Sequence, residues 1–226
     1  MNNPKLLKDR WNAIYKTGKK YKDEPPILFV KTILSTLKKM NLMNGKGLYI
    51  GCGNGRNFIP LVEKGLDLFG IDISDEAIRQ IIKRKPELTE RLTVTSFLEF
   101  KPQQLFDYVI SIQVFHHGDY KTVMENFQKV ADILKPKGLF FLKDRSTGTT
   151  TTFTYKILEE TALGGFTVRF MNGPKKNLEI HFLSHNELET LPKLGLYPII
   201  TPYETIIKYT DTKKRQLVHW EGIWQK

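Results

Sequence analysis

The fold is indicated most clearly by residues 47–72, which read GLYIGCGNGRNFIPLVEKGLDLFGID. Short apolar segments at both ends fit buried strands, and they enclose a glycine-rich turn and a helical segment. Glycines at positions 51, 53 and 55 permit positive φ angles and let a ligand lie against the main chain. Asp72 ends the second strand, where a βαβ nucleotide site places a carboxylate for ribose hydroxyls. These features predict a site for a nucleoside-containing cofactor.

The form of the glycine turn separates cofactor classes. The hexapeptide at 50–55, IGCGNG, resembles the first motif of class I S-adenosylmethionine-dependent methyltransferases, whose turn reads G-x-G-x-G. A dinucleotide fold normally has a third glycine where Arg56 stands. The continuation through Asn57, together with GIDIS at 70–74, looks most like the tellurite-resistance and thiol-methyltransferase-like branch.

This resemblance implies S-adenosylmethionine as the cofactor, S-adenosylhomocysteine as the product and no metal. The glycine turn would approach the cofactor through its backbone, and Asp72 would bind the ribose. The predicted cofactor-binding residues are Tyr49, Gly51, Cys52, Gly53, Asn54, Gly55, Arg56, Asn57, Asp72, Ile73, Ser96, Phe97 and Gln113.

Two positions depart from the family's pattern. Tyr49 stands where members usually carry an acid that orients the methionine amino group. Ser96 and Phe97 fall where an acid reads the adenine amino group. A backbone carbonyl of the turn would replace the first contact, and either Phe97 stacking or Glu99 the second, with simple packing as the alternative. The departures leave open a protein that binds the cofactor without transferring its methyl.

Candidate catalytic residues follow the fourth and fifth strands, because ligands of doubly wound sheets bind at the carboxyl ends of strands. His116 and His117 end a segment that resembles the family's fourth motif, which carries a His pair in many members. They either orient or deprotonate the substrate, or one closes a loop hydrogen bond. Asp144, just beyond the fifth strand, is a candidate substrate contact, and Arg169 is a candidate for meeting an anionic substrate.

The remaining pattern predicts an α/β fold, a doubly wound, Rossmann-like, seven-stranded and mostly parallel sheet with an antiparallel last strand and helices on both faces. A helix is expected from about Asn54 to Lys64. We expect an N-terminal helical cover at 1–44 and a methyltransferase domain at 45–226, with a substrate-side insertion at about 147–183 that contains a hairpin.

The N-terminal segment Arg10–Tyr15 resembles a part of the same branch that folds over the cofactor as a lid. Trp11 and Tyr15 would then shield the reactive sulfonium. Alternatively, these two side chains only pack the helix onto the domain.

Charge and composition bound the partners. The net charge is +11, and residues 1–46 hold eleven Lys or Arg and three acids. This basic arm would steer RNA towards the site, or it is an ordinary solvated lysine face. The single cysteine, Cys52, excludes an internal disulfide. With no apolar run long enough for a membrane span, we expect a cytoplasmic protein, monomeric or homodimeric, with no membrane partner.

The sequence therefore predicts an S-adenosylmethionine-dependent methyltransferase that acts by in-line transfer on a small molecule: a thiol, a metalloid anion or a small metabolite. The first alternative is a tRNA or other RNA methyltransferase that uses the basic arm. The second is a non-catalytic protein that binds adenosylmethionine.

Overall fold

The computed structural model describes residues 4–17, 24–208 and 216–226. Its main sheet has seven strands in the order β3-β2-β1-β4-β5-β10-β9. Strands β1, β2 and β3 pair in parallel, and β9 and β10 pair antiparallel. The predicted Rossmann-like sheet is confirmed. The strands are β1 (Lys46–Ile50), β2 (Asp67–Asp72), β3 (Leu92–Val94), β4 (Phe106–Ile112), β5 (Leu134–Arg145), β6 (Tyr155–Glu160), β7 (Phe166–Phe170), β8 (Glu179–Phe182), β9 (Tyr197–Lys208) and β10 (Gln216–Gln225).

Six α-helices accompany the strands in the described part of the chain. They are α1 (Pro4–Lys16), α2 (Phe29–Lys39), α3 (Phe58–Glu63), α4 (Asp75–Arg84), α5 (Tyr120–Ile133) and α6 (His185–Leu188). Short 3₁₀ helices cover Pro86–Arg91 and Leu191–Leu194. None of the helices in these ranges has the length and apolar character that crossing a bilayer requires.

The described residues fall into two compact units. We call residues 4–110 with 133–139 the amino-terminal unit, and residues 111–132 with 140–226 the carboxy-terminal unit. The predicted boundary between a cover segment at 1–44 and the rest of the chain stays a prediction.

Local sequence accounts for the helices of the amino-terminal unit. Helix α4 begins after Ser74, whose hydroxyl accepts a hydrogen bond from the amide of Ala77 at 3.1 Å. Asp75 and Glu76 occupy its first turn, where negative charge favours the helix dipole. Helix α2 turns an apolar face inward, with Phe29, Val30, Ile33 and Leu37 buried.

The carboxy-terminal unit has an aromatic core and a second sheet. Phe115, Phe127, Phe140 and Trp224 form a chain of ring contacts with centroids 5.6–6.1 Å apart. The second sheet has the order β6-β7-β8, in which β7 and β8 form the predicted hairpin. Strand β6, which pairs with β7, was not predicted, because its exposed residues show no apolar alternation.

One helix differs from the prediction. Helix α3 begins at Phe58, whereas the pattern predicted a start near Asn54. Residues 51–57 are held in turns, and Gly55, with φ of +92°, donates its amide to the carbonyl of Cys52 at 3.1 Å. The glycines that permit the turn thus delay the helix. Gly65 has φ of +90° and follows the helix as a left-handed cap.

A buried ion pair joins β5 to β10 in the carboxy-terminal unit. The ammonium group of Lys143 contacts Glu221 and donates to the hydroxyl of Thr205 at 2.9 Å. The second oxygen of Glu221 accepts from the Tyr203 hydroxyl at 2.9 Å. Both members of the pair are only 6 % exposed. Each charge is therefore neutralised and hydrogen-bonded where water is excluded.

Lys143→Met should lower the free energy of unfolding by about 3–5 kcal/mol, because it leaves the Glu221 carboxylate buried without its cation. The double variant Lys143→Met/Glu221→Met should recover most of that loss, since no charge remains buried. Urea unfolding of the three proteins measures both effects. Equal losses in the single and double variants would contradict this account.

Candidate functional site

The glycine turn after β1 is built from left-handed backbone. Gly51, Gly53 and Gly55 have φ angles of +66°, +56° and +92°, which residues with a Cβ rarely adopt. The amide of Cys52 donates to the carbonyl of Ile71 at 3.0 Å and so fixes the turn to β2. The backbone of the turn is thereby held in one shape.

Asp72, at the end of β2, binds this turn directly. One carboxylate oxygen accepts from the amide of Gly53 at 2.8 Å, and the other accepts from the amide of Ser74 at 2.8 Å. The residue is 8 % exposed, and burial raises the pKa of its carboxyl to about 6, although both amide bonds oppose this rise. A carboxylate has about four lone-pair sites, so about two remain for a ligand.

Several side chains predicted to contact the cofactor have hydrogen-bond or ion-pair partners within the protein. Arg56 donates to the carbonyl of Pro25 at 2.8 Å and pairs with Glu24 at 2.9 Å. Asn57 donates to the hydroxyl of the buried Tyr49 at 3.2 Å and accepts from the amide of Ile27 at 3.1 Å. These contacts tie residues 24–27 to the turn.

Cys52 and Asn54 face inward. Burial, with the nearby Asp72 carboxylate, raises the pKa of the Cys52 thiol well above its usual value. The thiol is therefore protonated and unreactive at neutral pH. Asn54 is buried, and its side-chain amide donates a hydrogen bond to Gln80 at 3.4 Å. The backbone carbonyl of Asn54 accepts a hydrogen bond from the Arg84 guanidinium.

Helix α1 lies on α4 within the amino-terminal unit. The Asn12 side chain accepts from the Ser74 hydroxyl at 2.6 Å and donates to Asp75 at 2.9 Å, and Gln80 donates to the carbonyl of Tyr15 at 2.9 Å. Tyr15 is buried, and its hydroxyl lies 2.6 Å from where a Cβ on Gly53 would be. The helix thus covers the glycine turn.

The other predicted aromatic and adenine-side residues are also placed. Trp11 stacks on Tyr15, with ring centroids 5.8 Å apart. Ser96 donates its hydroxyl to Glu99 at 2.7 Å, and Phe97 is buried, whereas Ile73 is partly exposed. Lys19, Lys20 and Lys22 of the predicted basic arm lie outside the described residues.

His116 and Asp144 form a buried pair in the carboxy-terminal unit. His116 Nδ1 contacts one carboxylate oxygen of Asp144, and this oxygen also accepts a hydrogen bond from the backbone amide of Arg145 at 2.8 Å. The other oxygen accepts hydrogen bonds from the backbone amides of Phe115 at 2.7 Å and His116 at 3.3 Å. Burial raises the pKa of Asp144, and these amides oppose it by favouring the carboxylate. Burial also lowers the pKa of His116 well below its usual value.

The chemical consequence is a neutral imidazole of fixed tautomer. Because Nδ1 faces a carboxylate, it carries the proton, and Nε2 carries the lone pair. His116 Nε2 can therefore accept a proton, with Asp144 orienting the ring and stabilising the charge that forms. Asp144 lies against His116 and acts through it.

The backbone of the His pair is held by strand β8. The amide of His181 donates to the carbonyl of His116 at 2.9 Å, and the amide of Gly118 donates to the carbonyl of Glu179 at 3.3 Å. The rings of His116 and His117 lie 4.2 Å apart, and burial lowers the pKa of His117 as well. Strand β8 thus supports the loop that carries the His pair.

Arg169 and Gln113 also have partners in this unit. Arg169 pairs with Glu179 at 2.5 Å, so its charge is already neutralised by the adjacent strand. Gln113, with φ of +60°, donates its amide to the carbonyl of Lys143 at 2.6 Å, and its side-chain nitrogen lies 3.1 Å from His219 Nε2.

Sequence reasoning missed the contacts of Asn12, Gln80 and His219. A signal existed for His219, because it and Glu221 stand two residues apart among the apolar residues of strand β10 and so share one face. Nothing in the sequence marks Asn12 or Gln80. No group of three or more His, Cys, Asp or Glu suited to a metal occurs in ranges 4–17, 24–208 and 216–226.

Comparison with known proteins agrees with this architecture. Residues 48–140 match the family described as "Methyltransferase domain". No curated protein matches the sequence. The fold is similar to magnesium protoporphyrin IX methyltransferase (ChlM) from Synechocystis PCC 6803 with bound SAM, at 11 % identity and a TM-score of 0.67, over 100 % of this chain and 98 % of that one.

Two further solved structures share the fold. A 1,6-didemethyltoxoflavin-N1-methyltransferase from Burkholderia thailandensis has 15 % identity and a TM-score of 0.63, over 100 % of this chain and 91 % of that one. TehB from Haemophilus influenzae has 14 % identity and a TM-score of 0.62, over 87 % of this chain and 62 % of that one. The chain therefore has the fold of these methyltransferases, and its residues 48–140 match the model of the methyltransferase domain family.

Proposed function

We propose that this protein transfers a methyl group from S-adenosylmethionine to a small-molecule acceptor. The observation that carries the proposal is the glycine turn of left-handed backbone whose Gly53 amide is bonded to Asp72. In the fold described above, this combination stands where a nucleoside cofactor approaches the main chain. The match of residues 48–140 to the methyltransferase domain family supports the same assignment.

The amino-terminal unit fits this cofactor. Asp72 would accept hydrogen bonds from the ribose hydroxyls through its remaining lone pairs, and the turn would admit the amino-acid portion against its backbone. Tyr15, held over Gly53 by helix α1, would exclude water there. When bound, adenosylmethionine supplies a methyl group on a sulfonium, so displacement by a nucleophile releases a neutral thioether.

The carboxy-terminal unit would serve the acceptor. In-line transfer requires chiefly alignment and exclusion of water, and a base is needed only when the nucleophile carries a proton. His116 Nε2 is the nitrogen that would take that proton, and Asp144 would keep it available by holding the proton on Nδ1. His117, at 4.2 Å from His116, would border the acceptor.

A small acceptor is favoured by the covered turn. Helix α1 is fixed to α4 through Asn12 and Gln80, and Tyr15 is buried beside Gly53. Two fold neighbours are also named as methyltransferases of small molecules, a magnesium protoporphyrin and a didemethyltoxoflavin. The net charge of +11 favours RNA as the competing acceptor.

The deciding experiment is transfer of labelled methyl from adenosylmethionine, run in parallel on bulk tRNA and on a protein-free extract of small metabolites. We expect label in the metabolite fraction alone. Label confined to tRNA would replace the small-molecule proposal with RNA methylation. Bound cofactor without label in either acceptor pool would support the non-catalytic alternative.

Affinity for S-adenosylhomocysteine should depend on the ionisation of Asp72. Because the free carboxyl has a pKa of about 6 and only the ionised form accepts two ribose hydrogen bonds, the Kd should rise as the pH falls from about 8 to about 5. Asp72→Asn should weaken binding by about ten- to a hundredfold at high pH and flatten this dependence. Isothermal titration calorimetry at several pH values measures both.

Asp67→Asn is the matched control, because Asp67 begins the same strand and pairs with Arg91 at 2.9 Å. Its Kd should follow that of the wild type. A wild-type Kd that does not vary over this pH range would show that Asp72 does not bind the ligand.

Asp144→Asn should slow methyl transfer to acceptors that carry a proton on the nucleophile. Loss of the carboxylate removes the partner that keeps the proton on His116 Nδ1, so we expect kcat to fall by about 10²–10⁴-fold. Binding of S-adenosylhomocysteine should not change. Single-turnover kinetics measures the rate, and raising the pH until the nucleophile ionises by itself should restore much of it. A loss that persists unchanged at high pH would mean that Asp144 serves only the fold.

A further inference from the structure

His219 is a buried histidine with one unused ring nitrogen. It is completely excluded from solvent, and its Nδ1 has no hydrogen-bond partner among the described residues. Most buried polar side-chain atoms in proteins have a partner, because leaving water without a new hydrogen bond is unfavourable. An orphaned ring nitrogen beside the residues assigned to the acceptor therefore indicates a ligand contact.

The tautomer of His219 follows from its other contact. The side-chain nitrogen of Gln113 can only donate hydrogen bonds, and it lies 3.1 Å from His219 Nε2. His219 Nε2 is therefore the acceptor of this hydrogen bond. Burial, together with the positive charges of Arg145 and Lys143, lowers the pKa of His219 to about 3, so the ring is neutral. The single proton of a neutral ring whose Nε2 accepts must lie on Nδ1. His219 thus presents a donor.

The acids that the described structure brings near this donor are already satisfied. Glu221, two residues along the same strand, is bonded to Lys143 and Tyr203. Asp144 accepts from His116 and from three backbone amides. Neither carboxylate is available as the missing acceptor of the His219 proton.

Among the charged groups that act on the three imidazoles of this unit, cations outnumber anions, although the Asp144 carboxylate opposes them at His117 and His219. Arg145 and Lys175 both lower the pKa values of His116, His117 and His219, which means that their positive charges act on all three rings. A neutral ring with an N–H donor in a positive field favours a negatively charged acceptor atom over a neutral one.

We propose that the Nδ1–H group of His219 donates a hydrogen bond to an anionic group of the methyl acceptor, so that His219 selects for anionic acceptors. Gln113 acts through His219 by fixing its tautomer. This inference rests on the proposed function and names the acceptor's charge and the residue that reads it.

Two substitutions separate the ring nitrogens. The side-chain nitrogen of Asn can occupy the position of His Nδ1, so His219→Asn keeps a donor there. The side-chain amide of Gln reaches the position of Nε2, so His219→Gln keeps a partner for Gln113 and loses the Nδ1 donor. Both replacements are polar and smaller than the ring, which makes them matched controls for each other.

The test uses a protein-free metabolite extract that is divided by anion exchange, before the reaction, into a retained and an unretained fraction. Each fraction receives labelled adenosylmethionine and wild-type protein, His219→Gln or His219→Asn. We expect the wild type to label the retained fraction. We expect kcat/KM there to be about ten- to a hundredfold lower for His219→Gln than for His219→Asn, mainly through KM. The Kd for S-adenosylhomocysteine should be the same in all three proteins.

Label only in the unretained fraction, or equal rates for the two variants, would overturn the proposal. Absence of label from both fractions despite bound S-adenosylhomocysteine would instead overturn the proposed methyl transfer, and with it this inference. If His219→Gln does not fold, Gln113→Leu is the second variant, because without the Gln113 side-chain amide the His219 proton can lie on either ring nitrogen. It should lower the rate on the retained fraction, and an unchanged rate would contradict the role of Nδ1.

Discussion

The amino-terminal unit depends on one carboxylate. Asp72 accepts the amides of Gly53 and Ser74 at 2.8 Å each, and so joins the glycine turn after β1 to the start of helix α4. Ser74 caps α4 and donates its hydroxyl to Asn12, which fixes helix α1. Tyr15 of α1 lies against Gly53, so the helix also contacts the glycine turn. The turn, the Asp72 carboxylate and helices α1 and α4 are therefore joined in one hydrogen-bonded structure.

This arrangement costs stability in the free protein. The pKa of Asp72 is raised from 3.8 to about 6, so the ionised carboxyl destabilises the fold by about 3 kcal/mol. This destabilisation is absent below pH 3.8, where the carboxyl is protonated in both states, and is complete above about pH 6. Hydrogen bonds from a ligand to the ionised form would return part of this free energy. In the carboxy-terminal unit, by contrast, the Asp144 carboxylate already accepts hydrogen bonds from several protein donors, and the neighbouring His116 is kept neutral. Perturbed acids and bases of this kind concentrate at functional sites.

The sequence predicted the elements whose signals are local. The βαβ unit and the apolar runs predicted a doubly wound, mostly parallel sheet, and the structure has this sheet with seven strands. The sequence also placed Asp72 at the end of the second strand, and His116 and Asp144 after the fourth and fifth strands, but it did not predict the contact between His116 and Asp144. The later start of α3 escaped prediction, because the helical pattern continues through the residues that the glycines hold in turns.

The contacts that the sequence did not predict join residues that are far apart in the chain. Arg56 and Asn57 matched a motif, yet their side chains bind residues 24–27, about thirty positions earlier. His219 gained its significance from Gln113, more than a hundred positions away. No periodicity encodes such pairs, since they arise only when strands and loops from distant segments are assembled.

The central claim is that the backbone of the glycine turn receives adenosylmethionine, and equilibrium binding of S-adenosylhomocysteine tests it most directly. Gly53→Val would add bulk to a turn with φ of +56°, whereas Gly195→Val changes an equally left-handed glycine, with φ of +79°, that has no atom within 4 Å of its added Cβ. Circular dichroism establishes that both variants are folded. The account predicts tight binding by the wild type and Gly195→Val and none by Gly53→Val. Undiminished binding by folded Gly53→Val would contradict it.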